Sequence, residues 1–215
     1  MSAGSSILQH QFDDLEQQRE ASTIGIWIFL ATEVMFFGGL FLCFAVYRTF
    51  YTEGFSHAAQ HMMHVKEGTI NTAVLLASSF TVALAVHAGH HGWQRQIVLW
   101  IALTMLLGLG FLGIKAYEYH LAAQHGHVPV PGAGFTYDGP HPEQVRLFMG
   151  FYFTMTGVHA AHMVIGLGVW SAVLVQAARG RYTAEYSNPV EVSGLYWHFV
   201  DLVWIFLFPV LYLLY

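Results

Sequence analysis

Five stretches of the chain are apolar almost throughout, and each is long enough to cross a bilayer as a helix. A bilayer core is spanned by roughly 20 consecutive apolar residues of α-helix. The stretches lie at about residues 24–47, 69–90, 97–119, 147–177 and 192–215. Because the backbone polar groups of a membrane span must pair within the protein, the pattern predicts an all-α membrane protein, a single five-transmembrane-helix bundle over residues 23–215.

Residues 1–22, which precede the first stretch, are polar and acidic, with Asp13, Asp14, Glu16 and Glu20 among them. A secretory signal peptide has a basic start and a short apolar stretch followed by a cleavage site, and neither is present here. We therefore expect the first apolar stretch to be kept as a transmembrane helix. The positive-inside rule does not orient the bundle, because Lys and Arg residues divide four against four between its two sides.

The composition supports a membrane protein and excludes several other kinds of protein and site. Apolar residues make up 55% of the 215 residues and charged residues only 10%, against about 25% charged residues in a soluble domain. The net charge of −5, with only eight Lys and Arg residues, excludes the basic surface of a nucleic-acid-binding protein. A single cysteine, Cys43, excludes an intramolecular disulfide bond and a thiolate-rich metal site.

Glu33 lies near the middle of the first apolar stretch, where an acidic residue costs roughly 2.5–3.5 kcal/mol to insert. At helical spacing its neighbours are Ile26, Phe29, Leu30, Phe36, Phe37 and Leu40. Such apolar surroundings favour the protonated, uncharged form of a carboxyl group. Two interpretations stay open: a functional carboxyl linked to proton movement or to a partner, and a structural carboxyl hydrogen-bonded to a neighbouring helix.

Histidine is the unusual feature of the composition, with 14 residues in a chain that has eight Lys and Arg. Two pairs lie inside apolar stretches at a spacing of three, His159 with His162 and His198 with Asp201, so each pair is expected to share a helix face. If all four converged, they would form a carboxylate–histidine metal site, and the chain would be a free-standing di-metal membrane enzyme. The alternative is hydrogen-bonded packing between helices, which we favour because the spans contain too few carboxylates for a di-iron site.

Other polar residues lie between the apolar stretches or at their ends. His57, His61 and His64 share one face if their segment is helical, and they either chelate a metal ion or form a polar surface at the membrane interface, which we favour. The long connection over residues 120–146 has histidines expected at the level of the lipid headgroups: His120, His125, His127 and His141. Lys115, near the end of the third stretch, is expected to extend its ammonium group to the membrane surface.

Small residues in the third and fourth stretches mark places where helices can approach each other closely. They are Gly108, Gly110, Gly113, Gly157, Ala161, Gly166 and Gly168. Packing against a neighbouring helix is the interpretation that we favour for most of them.

Five segments resemble, in order, the helix signatures of subunit III of bacterial haem–copper terminal oxidases. They are GIWIFLATEVMFF at residues 25–37, NTAVLLASS at 71–79, FLGIKAYEY at 111–119, FYFTMTGVHAAHMVIG at 151–166 and YWHFVDLVW at 196–204. The resemblance covers nearly all of residues 23–215, and it is to the five-helix form of the family, which lacks the two leading helices of the longer form. It implies a multi-pass protein of the bacterial cytoplasmic (inner) membrane, with a cytoplasmic N-terminus and a periplasmic C-terminus.

The resemblance also implies a function. Subunit III of such an oxidase holds no haem and no copper, because these cofactors belong to subunits I and II, which reduce oxygen to water and pump protons. Subunit III packs against subunit I, preserves its activity over many turnovers, supports proton uptake and binds phospholipids. The chain is therefore expected to be a non-catalytic subunit of a complex that oxidises cytochrome c. The alternatives are subunit III of a quinol oxidase and an accessory subunit of nitric oxide reductase.

Roles for individual residues follow from the same resemblance. Glu33 matches the intramembrane glutamate of the family that reacts with a hydrophobic carbodiimide. Positions that are structural or close to lipid in the family are matched by His159, His162, His198 and Asp201. Arg179 and Arg181 lie with Glu191 in the short loop before the last helix, where arginine can bind a lipid phosphate through two hydrogen bonds.

Overall fold

The computed structural model describes residue 8, residues 10–129 and residues 135–214, and this part of the chain is helical almost throughout. The helices are α1 (Leu15–Phe50), α2 (Thr52–Met62), α3 (Val65–His90), α4 (Gln94–Gln124), α5 (Pro142–Ala178) and α6 (Asn188–Phe208), and α6 continues as a π-helical turn over Pro209–Leu213. Five of these helices, all except α2, are long and apolar enough to span a membrane, which confirms the predicted all-α class and the five spans. Residues 1–7 and 9, residues 130–134 of the long connection, and Tyr215 lie outside the described residues.

The helices extend beyond the predicted spans because capping groups and prolines start them earlier. Asp14 caps α1, its side chain accepting the backbone N–H of Gln17 at 2.8 Å, and Glu16 places a negative charge in the first turn. Residues 15–22 of the predicted polar segment are therefore part of α1. Pro142 and Pro189 lie in the first turns of α5 and α6, where a missing N–H costs nothing.

A short helix, α2, lies where the sequence predicted only a connection between the first two spans. One side of α2 is buried, and the ring of Phe55 packs 5.5 Å from Phe44 of α1 and 5.5 Å from Phe148 of α5. α2 contacts both of these helices. The connection is thus an amphipathic element that covers one end of the bundle.

α6 is the central helix of the bundle. It contacts α1, α3 and α5, and it is the most buried of the five spans, whereas α1 is the least buried. α4 packs between α3 and α5. Apolar side chains such as Trp27, Met35 and Leu106 are exposed on the outer faces of the helices, as surfaces in contact with lipid acyl chains require.

Trp197 of α6 is held between two glycines of the neighbouring helices. A Cβ atom on Gly108 of α4 would lie 2.8 Å from Cη2 of the indole, and one on Gly166 of α5 would lie 2.9 Å from Cζ3. The indole Nε1 donates a hydrogen bond to Oγ of Ser78 on α3 at 2.8 Å. One side chain therefore joins α6 to three other helices, and the close packing predicted for these two glycines is confirmed.

The prediction of close packing is wrong for three of the other glycines. A Cβ atom on Gly110, Gly113 or Gly168 would meet no atom within 4 Å, because these positions point away from the neighbouring helices. A Cβ atom on Gly157 would have one ordinary contact, at 3.8 Å from the Tyr119 hydroxyl, and Ala161 is exposed. Small residues in these spans therefore divide between helix packing and the lipid-facing surface.

Lys115 is buried instead of reaching the membrane surface, so the expectation from the sequence is wrong. Its side chain is 4% exposed and forms an ion pair with Glu118, one turn along α4. The ammonium group also donates hydrogen bonds to the hydroxyl groups of Tyr152 at 3.1 Å and Tyr212 at 2.7 Å. The three protons of the ammonium group thus have three acceptors, and the cluster joins α4, α5 and the π-helical turn.

The glycines beside Trp197 give a direct test of the packing. We expect Gly108→Ala to lower the stability of the protein by about 1–3 kcal/mol, because the added methyl group displaces a fully buried indole. Gly110→Ala, two residues away on an open face, is the matched control and is expected to raise stability by up to about 1 kcal/mol through helix propensity. The measurement is the thermal unfolding midpoint of each variant in detergent. Equal midpoints for the two variants would contradict the packing described here.

The buried ion pair gives a second test. Glu118→Gln is expected to destabilise the protein by about 3–5 kcal/mol, because it leaves a buried ammonium group without its anion. Replacing both partners, Lys115→Met with Glu118→Gln, is expected to restore most of this loss, since no uncompensated charge remains. A double-mutant cycle on unfolding free energies measures the coupling. If the two losses simply add, Lys115 and Glu118 do not act as a pair.

Candidate functional site

Glu33 lies on the side of α1 that faces α5, at the edge of the bundle. Its side chain is 17% exposed, and its Oε2 atom is 3.1 Å from Nε2 of His162, whose side chain is 15% exposed. The ring of Phe37, one turn along α1, packs 5.2 Å from the ring of His162. Glu33 therefore has a polar partner on a neighbouring helix, and aromatic rings cover the pair.

The hydrogen bonds around His162 fix how many protons the pair holds. The Nδ1 atom of His162 is 2.8 Å from the carbonyl oxygen of Val158, which can only accept, so Nδ1 carries a proton. The contact between Nε2 and the Glu33 oxygen then needs one further proton, located either on the carboxyl group or on Nε2. In both arrangements the pair has no net charge.

Tyr196 of α6 contacts the backbone of α5 beside the pair of Glu33 and His162. Its hydroxyl group donates a hydrogen bond to the backbone carbonyl oxygen of His162 at 3.0 Å. The ring of Phe29, one turn before Glu33, packs 6.0 Å from the Tyr196 ring. Three helices therefore meet at this site, and neither Tyr196 nor the pairing of Glu33 with His162 was predicted from the sequence.

His159 and His162 do not share a face, contrary to the expectation from their spacing. His159 is fully buried on the inner side of α5, with its ring 5.5 Å from Phe111 and 5.3 Å from Trp204, and neither ring nitrogen has a hydrogen-bond partner. His162 points to α1. A step of three residues turns a helix by about 300°, so the two side chains diverge by about 60° and meet different neighbours.

His198 and Asp201 do meet at one place, between α3 and α6. Nδ1 of His198 lies 2.7 Å from the hydroxyl oxygen of Ser79. His198, Asp201 and Ser79 all line a cavity of about 150 Å³. The four residues weighed as a metal site are thus distributed over separate places, and no three His, Cys, Asp or Glu side chains in the described part of the chain are arranged to hold a metal ion.

The histidines of α2 form a small cluster of their own. His57 and His61 stack with their ring centroids 4.1 Å apart, and Nδ1 of His57 is 2.8 Å from the Tyr137 hydroxyl of the long connection. His64 follows the end of α2, so the three histidines do not lie along one helix. Burial, and next the charges of His61 and His141, lower the pKa of His57.

A cavity of about 230 Å³ opens beside this cluster. Its lining includes His61, His64, His125, His127 and Glu118. Burial and the neighbouring His125 lower the pKa of His127. Histidine side chains therefore line the approach from the loops to the buried Lys115 cluster.

Arg179 and Arg181 lie between α5 and α6 and are exposed. Glu191, predicted in the same loop, lies instead in the first turn of α6, because α6 already begins at Asn188. Its carboxylate is 3.7 Å from Arg19 of α1 and 3.6 Å from a ring nitrogen of His90 of α3. Glu191 therefore joins helix ends, and phosphate binding by the two arginines stays a prediction.

Comparison with known proteins agrees with this architecture. The chain is 32% identical to quinol oxidase subunit 3 of Bacillus subtilis (strain 168) over 203 residues, which cover 93% of this chain and 92% of that protein. It is 30% identical to cytochrome bo(3) ubiquinol oxidase subunit 3 of Pseudomonas aeruginosa over 206 residues, or 95% and 90% of the two chains. It is also 32% identical to cytochrome c oxidase subunit 3 of Corynebacterium diphtheriae over 194 residues, or 88% and 86%.

The family profile described as cytochrome c oxidase subunit III matches residues 11–214, which include all six helices and the intramembrane pair of Glu33 and His162. With five membrane-spanning helices and these relatives along nearly its whole length, the chain belongs to the subunit III family of the haem–copper terminal oxidases.

Proposed function

We propose that this chain is the non-catalytic subunit III of a proton-pumping haem–copper oxidase that reduces oxygen to water. The observation that carries the proposal is its membership of the subunit III family along almost its entire length. In this proposal haem and copper belong to the partner subunits I and II, as the resemblance to the family implies. The chain itself stabilises subunit I and supports proton uptake and lipid binding.

The orientation that we propose places the N-terminus in the cytoplasm and the C-terminus in the periplasm of the bacterial inner membrane. An odd number of spans places the two ends of the bundle on opposite faces of the membrane. The exposed Arg179 and Arg181 then lie at the cytoplasmic face, where they are suited to bind the phosphate groups of phospholipids. Their positive charges are also attracted to the anionic lipids of such a surface.

Within this function we assign Glu33 as the functional carboxyl. The pair that it forms with His162 holds one exchangeable proton and lies at the edge of the bundle, next to exposed apolar residues of α1. A neutral carboxyl group that is reachable from the lipid phase has the form that a hydrophobic carbodiimide attacks. The same exchangeable proton gives the subunit a way to support proton uptake in its partner.

Cytochrome c is the electron donor that we propose for the complex, and quinol is the second candidate. Relatives named as quinol oxidase and as cytochrome c oxidase subunits have the same 32% identity to this chain. In the proposed arrangement subunit III does not bind the donor. The partner subunits therefore decide between the two candidates.

Purification of the native complex tests this function. The chain is expected to co-purify in equal amount with a haem-containing partner, and subunit III separated from that complex is expected to hold no stoichiometric metal. A dinuclear copper centre in a partner, together with oxidation of cytochrome c, identifies the proposed donor; a complex without that centre that oxidises quinol identifies the second. Stoichiometric iron, copper or zinc in subunit III alone would instead support a di-metal enzyme.

Labelling with a hydrophobic carbodiimide tests the role of Glu33. The label is expected on the peptide that contains Glu33 and is expected to disappear in Glu33→Gln. Glu53→Gln is the control that keeps the label, because the Glu53 side chain is 83% exposed on α2, outside the membrane spans. Glu33→Ala is expected to shorten the period of turnover before the oxidase inactivates. Labelling at another residue, with unchanged turnover and lifetime in Glu33→Ala, would falsify the assignment.

A further inference from the structure

The segment 135–141 of the long connection is held at one end of the bundle by contacts on two sides. The Tyr137 hydroxyl oxygen is 2.8 Å from Nδ1 of His57 on α2. On the other side, the backbone N–H of Thr136 donates a hydrogen bond to the carbonyl oxygen of Gly126 at 3.1 Å, in the turn that follows α4. The segment therefore joins α2 to the end of α4.

Histidine rings lie against each other on both sides of this segment. On α2, the rings of His57 and His61 are stacked with their centroids 4.1 Å apart. In the turn after α4, the ring centroids of His125 and His127 are 5.7 Å apart, and the ring of Phe135 lies 6.5 Å from that of His127. Imidazole changes its charge between pH 5 and 8. Each pair of rings therefore holds two like charges close together when both rings are protonated.

The carboxylates near these histidines offer them little compensation. Glu118 lines the cavity beside the rings, but it is already paired with Lys115. Glu53 of α2 is 3.3 Å from Nε2 of His141, and protonation of His141 strengthens this contact. The two side chains are 83% and 40% exposed, however, so solvent keeps the contribution of the pair small. Asp138 of the segment is exposed, and water screens its charge.

The other elements that contact α2 pack against it with neutral side chains. α1 and α5 supply the rings of Phe44 and Phe148. The π-helical turn supplies Pro209–Leu213, in which the Tyr212 hydroxyl is bonded within the buried cluster at α4. The charged side chains near the start of α5, Glu143 and Arg146, line a different cavity. The charge at this place is therefore governed by the histidines.

The pKa directions of two of these rings, both outside the membrane-spanning helices, agree on the sign of the effect. Burial, and next the charges of His61 and His141, lower the pKa of His57. Burial, and next the charge of His125, lower the pKa of His127. The packed arrangement thus favours neutral rings, whereas rings released from it take up protons near about pH 6.5. Packing is therefore most stable above about pH 6.5 and loses stability as the pH falls through the lower pKa values of the packed rings.

We propose that the α2/connection interface, defined by His57, His61, His125, His127 and Tyr137, is a pH-sensitive contact that loosens when the membrane face on which it lies is acidified. The identity of that face rests on the proposed function. α2 follows the first span and the long connection follows the third, so both lie on the face opposite the N-terminus. In the proposed orientation this face is periplasmic, and a proton-pumping oxidase releases its protons there. The interface thereby responds to the acidity that its own complex produces.

Hydrogen exchange followed by mass spectrometry tests this inference on the full-length chain, purified in detergent with the subunits that accompany it. Exchange is measured at about pH 7.5 and about pH 5.5 and divided by the intrinsic exchange rate at each pH. The peptides that contain α2 and residues 135–141 are expected to exchange about three- to tenfold faster at the lower pH. A ring that gains a proton near pH 6.5 only when released shifts the opening equilibrium by up to about tenfold one pH unit lower.

Three variants separate titration from structural loss. His57→Gln combined with His61→Gln keeps polar side chains that stay neutral, and it is expected to remove most of the pH response of the α2 peptide. Tyr137→Phe removes a hydrogen bond without removing a histidine, so it is expected to speed exchange at both pH values and to keep the pH response. His120→Gln is the matched control, because His120 is an exposed histidine near the end of α4 outside the interface, and this variant is expected to behave as the wild type.

The outcomes also separate this inference from the proposed function. Equal corrected exchange at the two pH values, or a full pH response in the double histidine variant, overturns the inference. An equal acceleration of the loop at residues 179–187, at the opposite end of the bundle, indicates general unfolding and overturns it as well. If the pH response is present but the chain does not co-purify with a haem-containing partner, the proposed function is wrong and the pH-sensitive contact stands without it.

Discussion

A polar group inside a lipid bilayer has no water to bind, and the packing of this bundle follows from where its few polar side chains find partners. At one end, Lys115 and its three acceptors join α4, α5 and the turn after α6. In the middle, the hydroxyl groups of Thr81 and Thr104 meet at 2.7 Å between α3 and α4, close in sequence to the bond from Trp197 to Ser78. Apolar packing alone does not distinguish these neighbours from lipid, whereas hydrogen bonds do.

The same constraint explains why the proposed functional carboxyl, Glu33, lies on α1. This helix is the least buried of the five spans, and few of its side chains are enclosed by the bundle. Glu33 therefore supplies its polar contact to α5, at a place that both the bundle and the lipid phase border. Glu118, deep in the core, is held in its ion pair with Lys115, and a carboxyl on the outer face would have no partner. The edge of the bundle allows Glu33 to be both paired and reachable.

The sequence predicted the fold class and the number of spans because both depend on the length of apolar stretches. It did not predict the neighbours of individual polar residues, because spacing along one helix says nothing about which helix each side chain faces. His159 and His162 show this, since one faces the rings of Phe111 and Trp204 and the other faces Glu33. The prediction for Lys115 was wrong for a different reason. α4 runs to Gln124, beyond the predicted end at residue 119, so the ammonium group lies more than a turn deeper than expected.

Two buried carboxyl groups, Glu118 and Asp201, differ in the side chains that surround them. Glu118 borders a cavity whose lining includes His61, His64, His125 and His127, at one end of its helix. Asp201 borders a cavity walled by Leu76, Leu202 and Ile205 at the centre of its span. Asp201 instead has polar groups of its own chain beside it, the Ser79 hydroxyl group and the His198 ring in the same cavity, so its surroundings are set by the packing of α3 against α6.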